Sequence, residues 1–341
     1  MNKKLLMAAV ASALVAGPML SAQAAPTVYG KLNLGVASVD NGNTADSSTL
    51  AVTDNASRLG VKGDEDLGGG LKAIYMWEST IDGDTGGVTG NRDVFAGLQG
   101  GWGSVRLGMF NSVYKSLSTG LEIFGDTTAD FTTYGLNGES REANQISYSS
   151  PDMSGFQIGI ASSRGETGLD SESNPMMIAA TYNAGPLYLG IGMKDSDLAS
   201  TATSGLDDSM KLAGRFNMDA FSIWAVMETQ SVKGTKSSAN QEIDTTHLGV
   251  SYKMANNTFA LTYTDADSSE ADYDATSLAL GVIHALSKNT ALKFLWTDVD
   301  NDTSVARMGR LSPTNSGVGL TDITTAGNDP SGLGVQLSVS F

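Results

Sequence analysis

The chain of 341 residues predicts an all-β fold, an antiparallel transmembrane barrel of sixteen strands closed on itself. Three observations predict it. The first residues have the form of an export leader. The rest alternates apolar and small or polar residues with a period of two. Seven short turns alternate with eight long polar connections.

The leader comes first. Met1-Asn2-Lys3-Lys4 is a positive start, Leu5 to Leu20 is an apolar run, and Ser21-Ala22-Gln23-Ala24 ends on a small-residue cleavage pattern. Residues 1–24 are expected to be a secretory signal peptide and 25–341 a single barrel domain. The apolar run is broken by Gly17-Pro18 and falls short of the ~20 residues of a membrane-spanning helix. No shift in composition and no linker divides the remainder.

The alternation is plainest at the end of the chain. Leu333, Val335, Leu337, Val339 and Phe341 share one parity, and Gly334, Gln336, Ser338 and Ser340 the other. A strand sends such sets to opposite faces, which a helix cannot do. Leu187, Leu189, Ile191 and Met193 alternate with Tyr188, Gly190, Gly192 and Lys194, and Met210, Leu212, Gly214 and Phe216 with Lys211, Ala213 and Arg215. One face is fit for lipid and the other for a wet interior.

The short connections are centred on 66–69, 100–103, 151–154, 183–186, 217–219, 255–257 and 287–289, and carry Gly, Asn or Asp, which accept or cap turn backbone. The long ones are 39–52, 81–90, 111–139, 165–174, 196–207, 232–242, 266–272 and 300–331. Tyr148 and Phe156, Phe216 and Phe221, and Tyr252 and Phe259 flank short turns, as an aromatic girdle at a membrane surface requires.

Charge and composition exclude several classes. The precursor carries 21 basic and 37 acidic residues, and removing Lys3 and Lys4 with the leader makes the balance 19 against 37, a net of −18. A nucleic-acid binder needs a basic patch instead. Cysteine is absent, which removes thiolate nucleophiles and thiolate-bound metals. Asp66 to Lys72 lacks the Gly-Lys-Ser/Thr ending of a phosphate loop. His247 and His284, the two histidines, sit in no recognised catalytic motif. Asp298, Asp300 and Asp302 have a calcium-loop spacing, but Thr303 stands where that loop needs Gly, so they read as a solvated loop edge, with a weak divalent-ion contact to lipopolysaccharide as the alternative. No cofactor, metal or catalytic residue is expected.

Several segments together resemble the Gram-negative general porins: Thr27 to Lys31, Ser57 to Gly63, Glu65 to Gly68, Gly70 to Ala73, Phe95 to Leu98, Gly103 to Gly108, and Tyr148 to Pro151 with Gly155-Phe156. The resemblance spans residues 25–341 and implies a trimer of sixteen-stranded barrels with short periplasmic turns, long external loops and a third loop folded into the lumen. It implies a passive outer-membrane channel for small hydrophilic solutes and ions, with outer-membrane lipid, lipopolysaccharide and the assembly machinery as partners. It places a basic ladder at Lys31, Arg58, Arg92 and Arg141, opposite Glu122, Asp126 and Asp130 on loop 111–139, and makes Phe341 an assembly signal. Parity independently turns Lys31, Arg58 and Arg141 inward, whereas Arg92 shares parity with Val94 and Leu98. Ser118 and Met109 stand where the family often has an acid and an arginine. Two other roles for a barrel stay open, an outer-membrane hydrolase and an adhesin with an occluded lumen.

Overall fold

The computed structural model describes residues 25–40, 42, 49–127, 129–131, 140–164, 174–196, 205–233, 240–269, 274–302 and 329–341. The expected signal peptide, residues 1–24, lies outside them. In chain order the strands are β1 (Thr27–Asp40), β2 (Thr49–Asp54), β3 (Arg58–Gly68), β4 (Leu71–Asp82), β5 (Gly87–Gly100), β6 (Gly103–Asn111), β7 (Arg141–Ser149), β8 (Phe156–Ser163) and β9 (Met176–Ala184). There follow β10 (Leu187–Asp195), β11 (Gly205–Met218), β12 (Phe221–Lys233), β13 (Asn240–Met254), β14 (Asn257–Ser268), β15 (Ala275–Ala285), β16 (Thr290–Asn301) and β17 (Ser331–Ser340). All described pairings are antiparallel between neighbours, and β1 pairs with β17 from Lys31↔Ser340 to Asp40↔Ser331. The sheet therefore has no open edge there, which a lipid-embedded sheet must avoid.

The seventeen segments make a sixteen-stranded barrel, because β2 and β3 are one stave interrupted. Both pair with β1, at Leu34↔Asp54 and Lys31↔Arg58, one residue out of step. Ala56 takes up the extra residue at φ 58°. The Asp54 carboxylate accepts from Ser57 N and Gly83 N, both at 3.0 Å, and so satisfies backbone that the interrupted ladder leaves over.

The alternation places side chains as expected. Leu189, Ile191, Met193 and Leu212 are exposed on the outer face, while Lys194, Lys211 and Ala213 are buried inside. The aromatic pairs at the short turns are also outward and exposed. Phe221 faces Tyr252 in register, with ring centroids 4.5 Å apart.

Two expectations about connections need correction. The segment 81–90 is mostly strand, since β4 runs to Asp82 and β5 starts at Gly87. Gly86 N donates to Asp82 O at 2.8 Å and closes a tight turn, so the polar composition marks an exposed hairpin rather than a loop. Asp298 and Asp300 are strand residues on β16, outward in the row of Phe294 and Trp296, not a loop edge. Most of loop 300–331 lies outside the described residues.

Candidate functional site

The third loop enters the barrel because its apolar side chains have nowhere else to be buried. Val113, Tyr114, Leu117, Leu121 and Phe131 form one buried cluster with Ala161, Met177, Ala179, Ala213, Trp224 and Val226 of the inner wall. Phe124 and Ala129 form a second with Ala260, Ala279 and Leu295. The wall is carved for this contact. A Cβ on Gly192 would stand 2.6 Å from Leu117, and one on Gly281 would stand 2.7 Å from Phe124. At ~1.5–3 kcal/mol for each large side chain buried, the gross apolar term is on the order of 10 kcal/mol.

Polar contacts set the loop's register on the wall. Tyr188 Oη donates to Leu117 O at 2.6 Å, and Arg215 Nη1 to Gly120 O at 2.8 Å. Phe131 stacks on His247 with centroids 3.9 Å apart. His247 Nε2 accepts from Trp224 Nε1, and His247 Nδ1 lies 2.9 Å from Thr264 Oγ1. The ring is thus a buried seat for the loop. His284 lies 2.8 Å from Asn257 Oδ1 beside a short turn. Lys211 and Glu228, both fully buried, pair at 3.3 Å, and the Lys211 ammonium lies 4.4 Å from the centre of the Tyr114 ring.

From this seat the loop carries its acids to the opposite side of the barrel. Gly125 N donates to Glu122 O and closes a turn in which Asp126 sits at φ 58°. Lys293 Nζ donates to Gly125 O at 3.2 Å, and Gln336 Nε2 to Asp126 O at 2.9 Å. Asp126 N donates to Asp130 Oδ2 at 2.9 Å. The Asp126 carboxylate then accepts from Lys31 Nζ and Arg58 Nη2, each at 3.3 Å. Acid and base are in contact here rather than opposed across open water. Burial pushes the Asp126 carboxyl up, but Arg58, Lys31, Arg92 and Lys293 outweigh it and hold the group below its ordinary value.

The other two ladder members take acids from the wall. Arg92 Nε donates to Glu78 Oε1 at 2.5 Å, and Tyr29 Oη donates to Glu78 Oε2 at 2.8 Å. Arg141 Nε donates to Asp93 Oδ1 at 2.7 Å. Register shifts around Ser79 in the β4–β5 pairing resolve the parity of Arg92. A bulge lets neighbouring residues of one strand reach the same side, so Arg92 and Asp93 both meet inward partners.

Sequence reading missed Lys293, Gln336, Glu78 and Asp93. Alternation alone points to the first two, since Lys293 opposes Phe294 and Trp296, and Gln336 opposes Val335 and Leu337. Asp93 lies inside the bulge, where alternation carries no information. Ser118 is buried, its hydroxyl donating to Lys115 O at 3.1 Å within the loop's first turn. Met109 pairs with Val94 on the outward row of Leu107.

The sequence model of the Gram-negative porin family matches residues 8–304. Outer membrane porin protein 32 of Delftia acidovorans is 29% identical over 311 residues, 86% of this chain and 88% of its own. A major outer membrane protein P.IB of Neisseria meningitidis serogroup B is 28% identical over 303 residues, covering 83% and 89%. Among solved structures, the anion-selective porin from Comamonas acidovorans superposes with a TM-score of 0.78 at 24% identity, over 93% of this chain and 99% of its own. The trimer form of OmpT from Vibrio cholerae superposes at 0.69 with 14% identity, over 93% and 99%.

Proposed function

This chain belongs to the Gram-negative porin family and forms a diffusion channel across the outer membrane, and on that premise we propose that the Asp126 cluster is its constriction, with a mild preference for anions. The observation that carries the proposal is the double contact of Asp126 with Lys31 and Arg58. It neutralises the acid nearest the basic wall. Around it stand four cations, Lys31, Arg58, Arg92 and Lys293, against Asp126, Asp130 and Glu78. Among the described residues, counting the groups whose charges act on Asp126 and on its cationic neighbours, one positive charge is left over. Within a Debye length of ~10 Å these local groups govern a passing ion, not the acidic balance of the whole chain.

In this reading Glu122, Asp126 and Asp130 shape the loop tip, while Arg92 and Arg141 keep a charged but paired wall. The Comamonas protein is described as anion-selective, which agrees in sign. The account needs no catalytic residue, for His247 is enclosed by Trp224, Thr264 and Phe131. Removal of residues 1–24 on export, assembly as a homotrimer and contact with lipopolysaccharide belong to the same reading, by likeness to the family. So does a role for Phe341 in assembly. Its backbone exchanges hydrogen bonds with Gly30 at 3.0 and 3.1 Å, and its ring occupies the space a Cβ on Gly30 would need.

The test is bilayer electrophysiology of Lys31→Gln with Arg58→Gln. Open channels whose selectivity has moved toward cations are expected. Selectivity equal to that of the unaltered protein would refute it.

A further inference from the structure

Across the lumen from Asp126 a cavity of about 400 Å³ lies beneath the loop segment Val113–Leu121, against the inner faces of β6–β11. Its walls include residues close to the short turns, such as Ser149, Gln157 and Asn183, so it sits toward that end of the barrel. Two guanidinium groups line it. Arg106 lies over the rings of Phe110 and Phe95, at 4.5 and 5.4 Å from their centres, and no carboxylate pairs with it among the described residues. Arg215 spends Nη1 on Gly120 O, while its Nε is a buried donor with no partner among them. Four other cations of the inner wall, Arg92, Arg141, Lys194 and Lys211, each pair with an acid.

We propose that this cavity is a side subsite for small anions with an apolar body, built by Arg106 and Arg215 and separate from the Asp126 cluster. Unpaired guanidinium groups favour a carboxylate or phosphate, because their fork of N–H donors matches its oxygens. Tyr188, Leu121 and Val113 present apolar surface beside them, and Gln157, Thr181 and Asn183 present polar groups. The volume falls within the ~300–1,000 Å³ of small-molecule sites. An anion held here lies under the loop and to one side of the constriction. It acts as a reversible blocker and as a local store of solute entering from the short-turn end.

The proposal rests on the channel reading, and the experiment keeps the two apart. Single-channel current is recorded in KCl, then with sodium benzoate added on each side in turn, with acetate and inorganic phosphate as smaller anions. Absence of current in KCl alone would refute the channel reading itself. With current present, benzoate is expected to produce brief blockades that last longer than those of acetate and start faster from the short-turn side. Arg106→Gln and Arg215→Gln should each shorten them at least 10-fold. Thr181→Trp keeps every charge and puts a bulky ring into the cavity, and should abolish them while acetate and phosphate pass as before. Blockades indifferent to all three substitutions would overturn the subsite. Blockades lost in the arginine variants but retained in Thr181→Trp would overturn it too, since a diffuse field would then suffice.

Discussion

Replacing Asp126 by Asn removes one charge from the cluster and changes little else in shape. The carboxylate that Lys31 and Arg58 share is lost, so four cations then face two acids. A unit charge acts on an ion passing ~4–8 Å away in an aqueous lumen with about 0.5–1 kcal/mol. That is roughly a 2- to 5-fold change in local concentration, opposite in sign for anions and cations. The anion-to-cation permeability ratio should therefore rise roughly 5-fold or more in ~0.1 M salt and fade in ~1 M, where the Debye length is ~3 Å. Reversal potentials across planar bilayers at the two salt levels measure it. The loop tip loses two ion pairs whose groups are about one-quarter exposed, so its seating weakens by ~1–3 kcal/mol and the open current becomes noisier. An unchanged permeability ratio at low salt would refute the reasoning, because Asp126 would then lie outside the ion path.

The same carboxylate sets a pH dependence. Its cationic neighbours hold it below its ordinary value, so its ion pairs are complete above ~pH 4–5 and are lost as pH falls through the lowered folded-state value. Reversal potentials titrated downward should drift toward those of Asp126→Asn, and the drift of the variant, which keeps only the other acids, should be smaller. Leu117→Ala removes a fully buried anchor between loop and wall at a cost of ~2–5 kcal/mol. Single-channel traces should then show larger and noisier openings, with the barrel's melting temperature little changed. Glu228→Gln strands the buried Lys211 ammonium, which costs ~3–5 kcal/mol and should lower that melting temperature. Leu212→Arg puts a charge on the lipid face at ~2–4 kcal/mol and should reduce folding yield into vesicles.

The barrel was legible because its physics is local. Alternation within each strand and turn chemistry between strands are properties of short windows. The count of sixteen followed from the seven short turns, and the interruption at Ala56 did not disturb it. The Asp126 cluster was legible only where parity ran unbroken. Lys31 and Arg58 lie on such stretches, and the structure brings both to Asp126. Arg92 and Asp93 lie in a bulge, where one added residue reverses the expected face. The seat of the third loop was the least legible part. Leu117, Leu121 and Phe124 read as apolar islands in a polar loop, and Trp224 and Val226 as apolar residues on the wrong face. Each set makes sense only against the other, across about 100 residues of chain.

The most direct test of the account is the zero-current potential of the unaltered protein in a KCl gradient across a planar bilayer. The Asp126 cluster with its surplus positive charge predicts open channels and a reversal potential on the chloride side of zero. A clear reversal on the potassium side would contradict it.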